Sequence, residues 1–161
     1  MDFFATNCQQ GPFKDKQFGL CDDQNSSRAY VDKIDPAKWL VSVKNEQGKF
    51  VTFTAIDKCV IKDDEELGRG RCDCMLTTAE ILYLIELKNK KSPWLSLAVE
   101  QLESTIQFLM KHHDISAYVH KKAIGCNKRP RILPEISISD NKRFFQTYGF
   151  RLELQAEIII L

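Results

Sequence analysis

Asp73, Glu86 and Lys88 are the residues whose types and spacing could do chemistry together; they lie in the stretch 73–88, DCMLTTAEILYLIELK. Side chains of a β-strand alternate between faces, so Glu86 and Lys88 would share a face with Leu87 pointing away between them. A hard divalent cation such as Mg²⁺ or Mn²⁺ prefers oxygen ligands. It takes one or two carboxylates and leaves its other positions to water and phosphate. Asp73 and Glu86 can supply the carboxylates. Such a cation activates water at neutral pH, and a neighbouring ammonium, here Lys88, can orient that water or offset charge growing on a phosphate.

Those side chains need elements to position them. Residues 79–88 read as a strand whose apolar run 81–85 is buried on both faces. Residues 71–76 read as a shorter strand, with Thr77 and Thr78 turning the chain so that the two run antiparallel. Charge at the end of a buried strand is costly unless paired or bound to a metal, which favours a built site over a chance triplet. Beyond Lys88, Ser92 and Pro93 read as an N-cap and first helical residue. Leu95, Ala98, Leu102, Ile106 and Leu109 then recur at helical spacing to about His113. Gln101 sits at the edge of that stripe, and residues 117–124 read as the next strand.

The order Asp, gap, Glu-x-Lys resembles the motif of the PD-(D/E)XK nuclease superfamily, over roughly residues 50–121. The resemblance implies a restriction-endonuclease-like core of strand-strand-strand-helix-strand. Asp73 and Glu86 would be metal ligands, Lys88 a catalytic group, and Gln101 a helix residue at the catalytic edge. It also implies a further acid from elsewhere, for which Asp57 and Glu66 are both candidates. The chain departs from the family pattern at Cys72, where a Pro would precede the first acid, and at Thr105, where a Tyr often follows the Gln.

A chain of 161 residues is expected to form a single α/β domain, a central mixed β-sheet with flanking helices, behind a loop-rich segment 1–35. No apolar run approaches the length of a membrane span, and no leader pattern is visible. A soluble cytoplasmic protein is therefore expected, with its six cysteines reduced, since they form no CxxC pair or zinc-finger spacing. The net charge of +1 conceals an asymmetry of −3 over residues 1–80 and +4 over 81–161. Lys121, Lys122, Lys128, Arg129 and Arg131, around a Gly-Cys-Asn turn, form a candidate phosphate-binding cluster; a solvated loop is the alternative.

Along the remaining chain, residues 1–27 read as loops pinned by Phe3, Phe4, Phe13 and Phe18. Asp22 and Asp23 read as turn or cap residues and receive no role. Asp35-Pro36 reads as a cap or turn. Residues 39–44 and 50–56 alternate as a β-hairpin, with the second strand running on through 59–61. Residues 63–66 read as a solvated acidic loop. Ser139 or Asp140 caps a helix ended by Gly149, and residues 150–161 are strand-like.

Two functions follow from different classes. The first is a Mg²⁺- or Mn²⁺-dependent nuclease in defence, repair or recombination, with DNA ahead of RNA as substrate and a homodimer or protein partner left open. The second is a binding protein, an immunity or phage-sensing module keeping the nuclease fold without cutting. Its support is small size, modest charge and the lack of a separate DNA-reading module.

Overall fold

The computed structural model describes residues 1–25, 27–91, 93–129 and 132–161. In order these form β1 (Gln9–Phe13), β2 (Gln17–Cys21), β3 (Tyr30–Asp32), β4 (Val41–Lys44), β5 (Val51–Ala55), β6 (Cys74–Thr77), β7 (Ile81–Lys88), α1 (Leu95–His112), β8 (His120–Asn127), α2 (Ile138–Tyr148), β9 (Arg151–Leu154) and β10 (Glu157–Ile159). Short 3-10 turns span Thr6–Cys8 and Pro36–Lys38.

Strand β7 organises the packing because both its faces are covered. Leu82 and Leu84 join the core beneath α1 with Leu102, Ile106 and Leu109. Ile81, Tyr83, Ile85 and Leu87 join a second core with Phe18, Val41, Val43 and Ile158. The alternation of one strand thus feeds two cores, and all its residues are buried. Glu86 and Lys88 fall on the α1 side by the same period of two.

A six-stranded mixed sheet, ordered β1-β5-β6-β7-β8-β9, carries α1, and a four-stranded sheet, β10-β4-β2-β3, covers its other face. The β5-β6-β7 run is antiparallel, and β7, β8 and β9 are parallel. The expected α/β class with a mixed sheet is therefore observed. In both halves of the crossover the return to a parallel neighbour is made by a helix, α1 and then α2.

Several local expectations are corrected. The proposed hairpin is absent: β4 pairs with β2 and β10, whereas β5 pairs with β1 and β6. Alternation shows that a strand is half-buried but not which strand it joins. Residues 57–61 form a tight turn closed by an Asp57–Ile61 bridge instead of a strand. The segment 1–35, read as loops, holds β1, β2 and β3, although Phe3 and Phe18 are buried anchors as expected. Residues 150–161 divide into β9 and β10, in different sheets. Strand β8 begins at His120, so Gly125, Cys126 and Asn127 belong to the strand and make no turn.

Helix boundaries moved as well. Helix α1 starts at Leu95 with Trp94 at the N-cap, while the expected cap, Ser92, lies outside the described residues. Ser137, ahead of both expected candidates, caps α2 by accepting from Asp140 N–H; Gly149, at φ 74°, ends it as anticipated. Asp35 caps the 3-10 turn through Ala37 N–H.

Cys8 and Cys59 form a disulfide, with Cα atoms 5.7 Å apart. This corrects the expectation of six reduced thiols for two of them. Connectivity across a sequence separation of 51 is set by tertiary contact. Cys21, Cys72, Cys74 and Cys126 are free and buried. Among the described residues no helix is long and apolar enough to cross a membrane.

Candidate functional site

The site begins with strand register. Cys74 pairs with Ile85 as the last pair of the antiparallel β6–β7 ladder, and Asp73, the residue before it, enters the same cleft as Glu86. The regular register stops at that pair: Asp73 N–H also donates to Ile85 O, at 3.2 Å, and its carbonyl accepts from Ile56 N–H at 2.9 Å. Asp73 Oδ2 accepts a 2.6 Å hydrogen bond from Leu87 N–H. The expected convergence of Asp73, Glu86 and Lys88 at one end of the sheet is what the fold produces.

Lys88 Nζ lies 3.0 Å from Glu86 Oε1 and donates to Gln101 Oε1 at 2.8 Å. Gln101 Nε2 in turn reaches Arg71 O at 3.3 Å. Helix α1 is therefore joined to the strand that carries Asp73 through a polar row on its inner edge. Thr105 completes that row: its hydroxyl donates to Gln101 O at 2.7 Å and accepts from Cys72 N–H at 2.8 Å. Arg69 Nε donates to Ser104 Oγ at 3.2 Å. Gly70 permits the approach, since a Cβ there would stand 3.2 Å from both Cα and Cγ of Gln101.

Relative exposure is 8% for Asp73, 2% for Glu86 and 8% for Lys88, so these charges are held largely out of water. Glu86 Oε2 is buried without a hydrogen-bond partner. Burial pushes the Glu86 carboxyl up to about 7, although Lys88 pulls the other way. Burial first, then the Glu86 charge, holds the Asp73 carboxyl well above the ordinary range; Leu87 N–H opposes the shift, and Asp22 adds to it. The two carboxyls together retain a proton that isolated acids would have lost. Burial also raises the thiols of Cys72, Cys74 and Cys126, leaving them as small apolar fillers around the acids.

These groups open into a cleft of about 290 Å³, shared with Asp22, Asp57, Lys58 and Lys90. Asp22, to which the sequence reading assigned no role, comes from the loop after β2 and is brought over the acids by packing of the two sheets. Its carboxyl also accepts from Gln24 N–H at 3.0 Å, so it is a turn residue as expected and a wall of the cleft besides. The adjacent acids were the only sequence signal for it. Of the two candidate further acids, Asp57 lines the cleft, tied to Arg71, and Glu66 is exposed away from it. Lys58 was missed altogether.

The basic cluster divides. Lys121 and Lys122 pair with Leu82 and Tyr83, toward the opposite end of β8 from Asn127, which pairs with Lys88. Five or six residues of strand separate them from the site, about 17–20 Å. Lys122 is also paired with Glu153 at 3.2 Å, and Lys121 donates to Tyr118 O at 3.0 Å. Lys128 and Arg129 follow β8 on the site's end; Arg129 Nε donates to Asn89 Oδ1 at 3.0 Å, and Lys128 Nζ to Ala37 O at 2.9 Å. Arg131 lies outside the described residues.

A roomier depression of about 650 Å³ lies at the C-terminal end of α1, beside His112, His113 and Tyr148. His113 Nε2 there already accepts from Phe3 N–H at 3.1 Å. The smaller cleft has the stronger chemistry, because buried acids and a buried ammonium converge in it. Among the described residues no group of three or more His, Cys, Asp or Glu is placed to hold a metal ion, so any cation here would rest on the Asp73–Glu86 pair. Family models, curated proteins and solved structures all give no match to this chain.

Proposed function

We propose that the protein is a divalent-metal-dependent nuclease. The observation that carries the reading is Glu86, whose Oε2 is buried without a partner while its Oε1 meets Lys88 and Asp73 lines the same cleft. With both acids ionised such an oxygen is orphaned at a cost, and a cation taking the place of the retained proton would satisfy it. The donor set also fits, since Mg²⁺ uses one or two carboxylates and shares its remaining positions with water and phosphate. Supporting context comes from the run β5-β6-β7-α1-β8, which follows the strand-strand-strand-helix-strand order of a restriction-endonuclease-like core.

On this reading Asp73 and Glu86 would hold Mg²⁺ or Mn²⁺, which when bound supplies water activation and neutralises phosphate charge. Leu87 N–H fixes one Asp73 oxygen and thereby the direction of the other. Lys88, oriented by Gln101 Oε1, places a positive charge where a phosphodiester would gain negative charge in its transition state. Gln101 acts through Lys88 as a positioning residue. Lys128 and Arg129 extend positive charge along the same end of the sheet for a nucleic-acid backbone, with DNA ahead of RNA. Incubating the protein with Mg²⁺ or Mn²⁺ and single-stranded, duplex and branched DNA, alongside Asp73→Asn and Lys88→Ala, tests the proposal. Metal-dependent cutting lost in both variants supports it; no cutting by the native chain removes it.

One observation favours a binding module as the second reading. Lys88 is already satisfied by Glu86 and Gln101, so the network is nearly complete without substrate. In that case the acids and lysine serve to lock a nuclease-like scaffold that binds a partner.

A further inference from the structure

Lys58 occupies the tight turn after β5 and has a left-handed backbone, φ 66°. A side chain is disfavoured there, and glycine would adopt the conformation freely. The surroundings nonetheless impose it. Lys58 N–H donates to Ile61 O at 2.9 Å, and Ile61 N–H to Ile56 O at 3.0 Å. The next residue, Cys59, is joined by disulfide to Cys8. Arg71 clamps the turn from below, bonding Asp57, Asp63 and, at 2.9 Å, Lys62 O. Backbone strain held in place by its surroundings clusters at functional sites.

That side chain lines the cleft with Asp73, Glu86 and Lys88. Its nearest acids are Asp57 at 3.8 Å and Asp63 at 4.0 Å, both already engaged by Arg71 at closer range. Lys58 is thus the more loosely held cation of the turn. Its side chain is 28% exposed, neither buried in the core nor free in bulk water.

We propose that Lys58 is a second substrate-binding cation of the cleft, contacting a phosphate oxygen of the nucleic-acid strand. The proposal rests on the nuclease reading and adds to it a residue outside the Asp73–Glu86–Lys88 set.

Lys58→Gly, Lys58→Gln and Lys58→Arg separate this from a structural role. Binding is measured by fluorescence anisotropy with labelled single-stranded and duplex oligodeoxynucleotides, using Ca²⁺ in place of Mg²⁺ so that affinity is read without cleavage. Lys58→Gly relieves the backbone, so its melting temperature should equal or exceed that of the native chain, while its affinity falls about tenfold. Lys58→Gln should lose similar affinity, and Lys58→Arg should restore most of it. The salt dependence of binding should drop by about one phosphate contact in both neutral variants. Unchanged affinity and salt slope in the neutral variants, with the native chain still cutting DNA, overturns the role of Lys58 and leaves the nuclease reading standing. A native chain that neither binds nor cuts these oligonucleotides overturns both.

Discussion

Asp73, just outside the terminal Cys74–Ile85 pair of β6 and β7, is tied to the strand of Glu86 by the Leu87 N–H, which lies between Glu86 and Lys88 and binds Asp73 Oδ2. The backbone of one acid's strand thus orients the other acid. Two carboxyls placed so close and so deep are mutually repulsive when ionised, and a divalent cation relieves both costs together.

Mg²⁺ or Mn²⁺ should therefore stabilise the fold. A cation at a hundredfold excess over its Kd adds about 2.7 kcal/mol, which corresponds to a melting-temperature rise of several degrees. Asp73→Asn and Glu86→Gln should each abolish most of that rise in a thermal-shift titration. An equal rise in all three proteins places the cation elsewhere.

The metal-free protein should lose stability as pH rises. Glu86 has a folded value near 7 against an ordinary 4.5, so the native state keeps a proton that the unfolded chain releases. Its contribution is most favourable below the unfolded value, declines from there to about pH 7, and is flat above. The size is of order 3 kcal/mol for this buried group. Urea unfolding in chelator at pH 5 and pH 8 measures it, and Glu86→Gln should reduce the difference, leaving the part that the raised Asp73 carboxyl contributes with the same sign. A native chain that instead gains stability over this interval contradicts the assignment.

Lys88→Ala should lower cleavage by about a hundredfold or more, with nucleic-acid affinity changed only a few fold, because its charge matters most when the transition state forms. Single-turnover rates and anisotropy on the same sample distinguish these. A binding module predicts the opposite, retained biological effect with the site disabled.

Thr105→Val should cost about 1–3 kcal/mol by leaving Cys72 N–H buried without its acceptor. Since Cys72 precedes Asp73, turnover should also fall, through positioning of the acid. Chemical denaturation and cleavage rates at matched temperature check both effects; a variant as stable as the native chain argues that Cys72 finds another partner.

The divided basic cluster gives a paired test. Lys128→Ala with Arg129→Ala should weaken DNA binding and reduce its salt slope, whereas Lys121→Ala with Lys122→Ala should leave both nearly unchanged. The second pair lies toward the far end of β8, with Lys122 already neutralised by Glu153.

The residues along the chain determined the local terms. A period of two put Glu86 and Lys88 on one face, the apolar run 81–85 made β7 a central strand, and the helical stripe from Leu95 brought Gln101 to the strand end. These are short-range consequences of side-chain direction and burial, and they are legible from the stretch itself. Pairing between distant strands is different. Whether β4 joins β5 or β2, whether Asp22 sits in a free turn or over Asp73, and whether Cys59 meets Cys8 depend on which arrangement buries most surface across the whole molecule. Local pattern is nearly the same in each alternative. Only tertiary packing of the two sheets decided them, and with them the shape of the cleft and the placement of Lys58, because long-range contact energies exceed the small local preferences that a sequence displays.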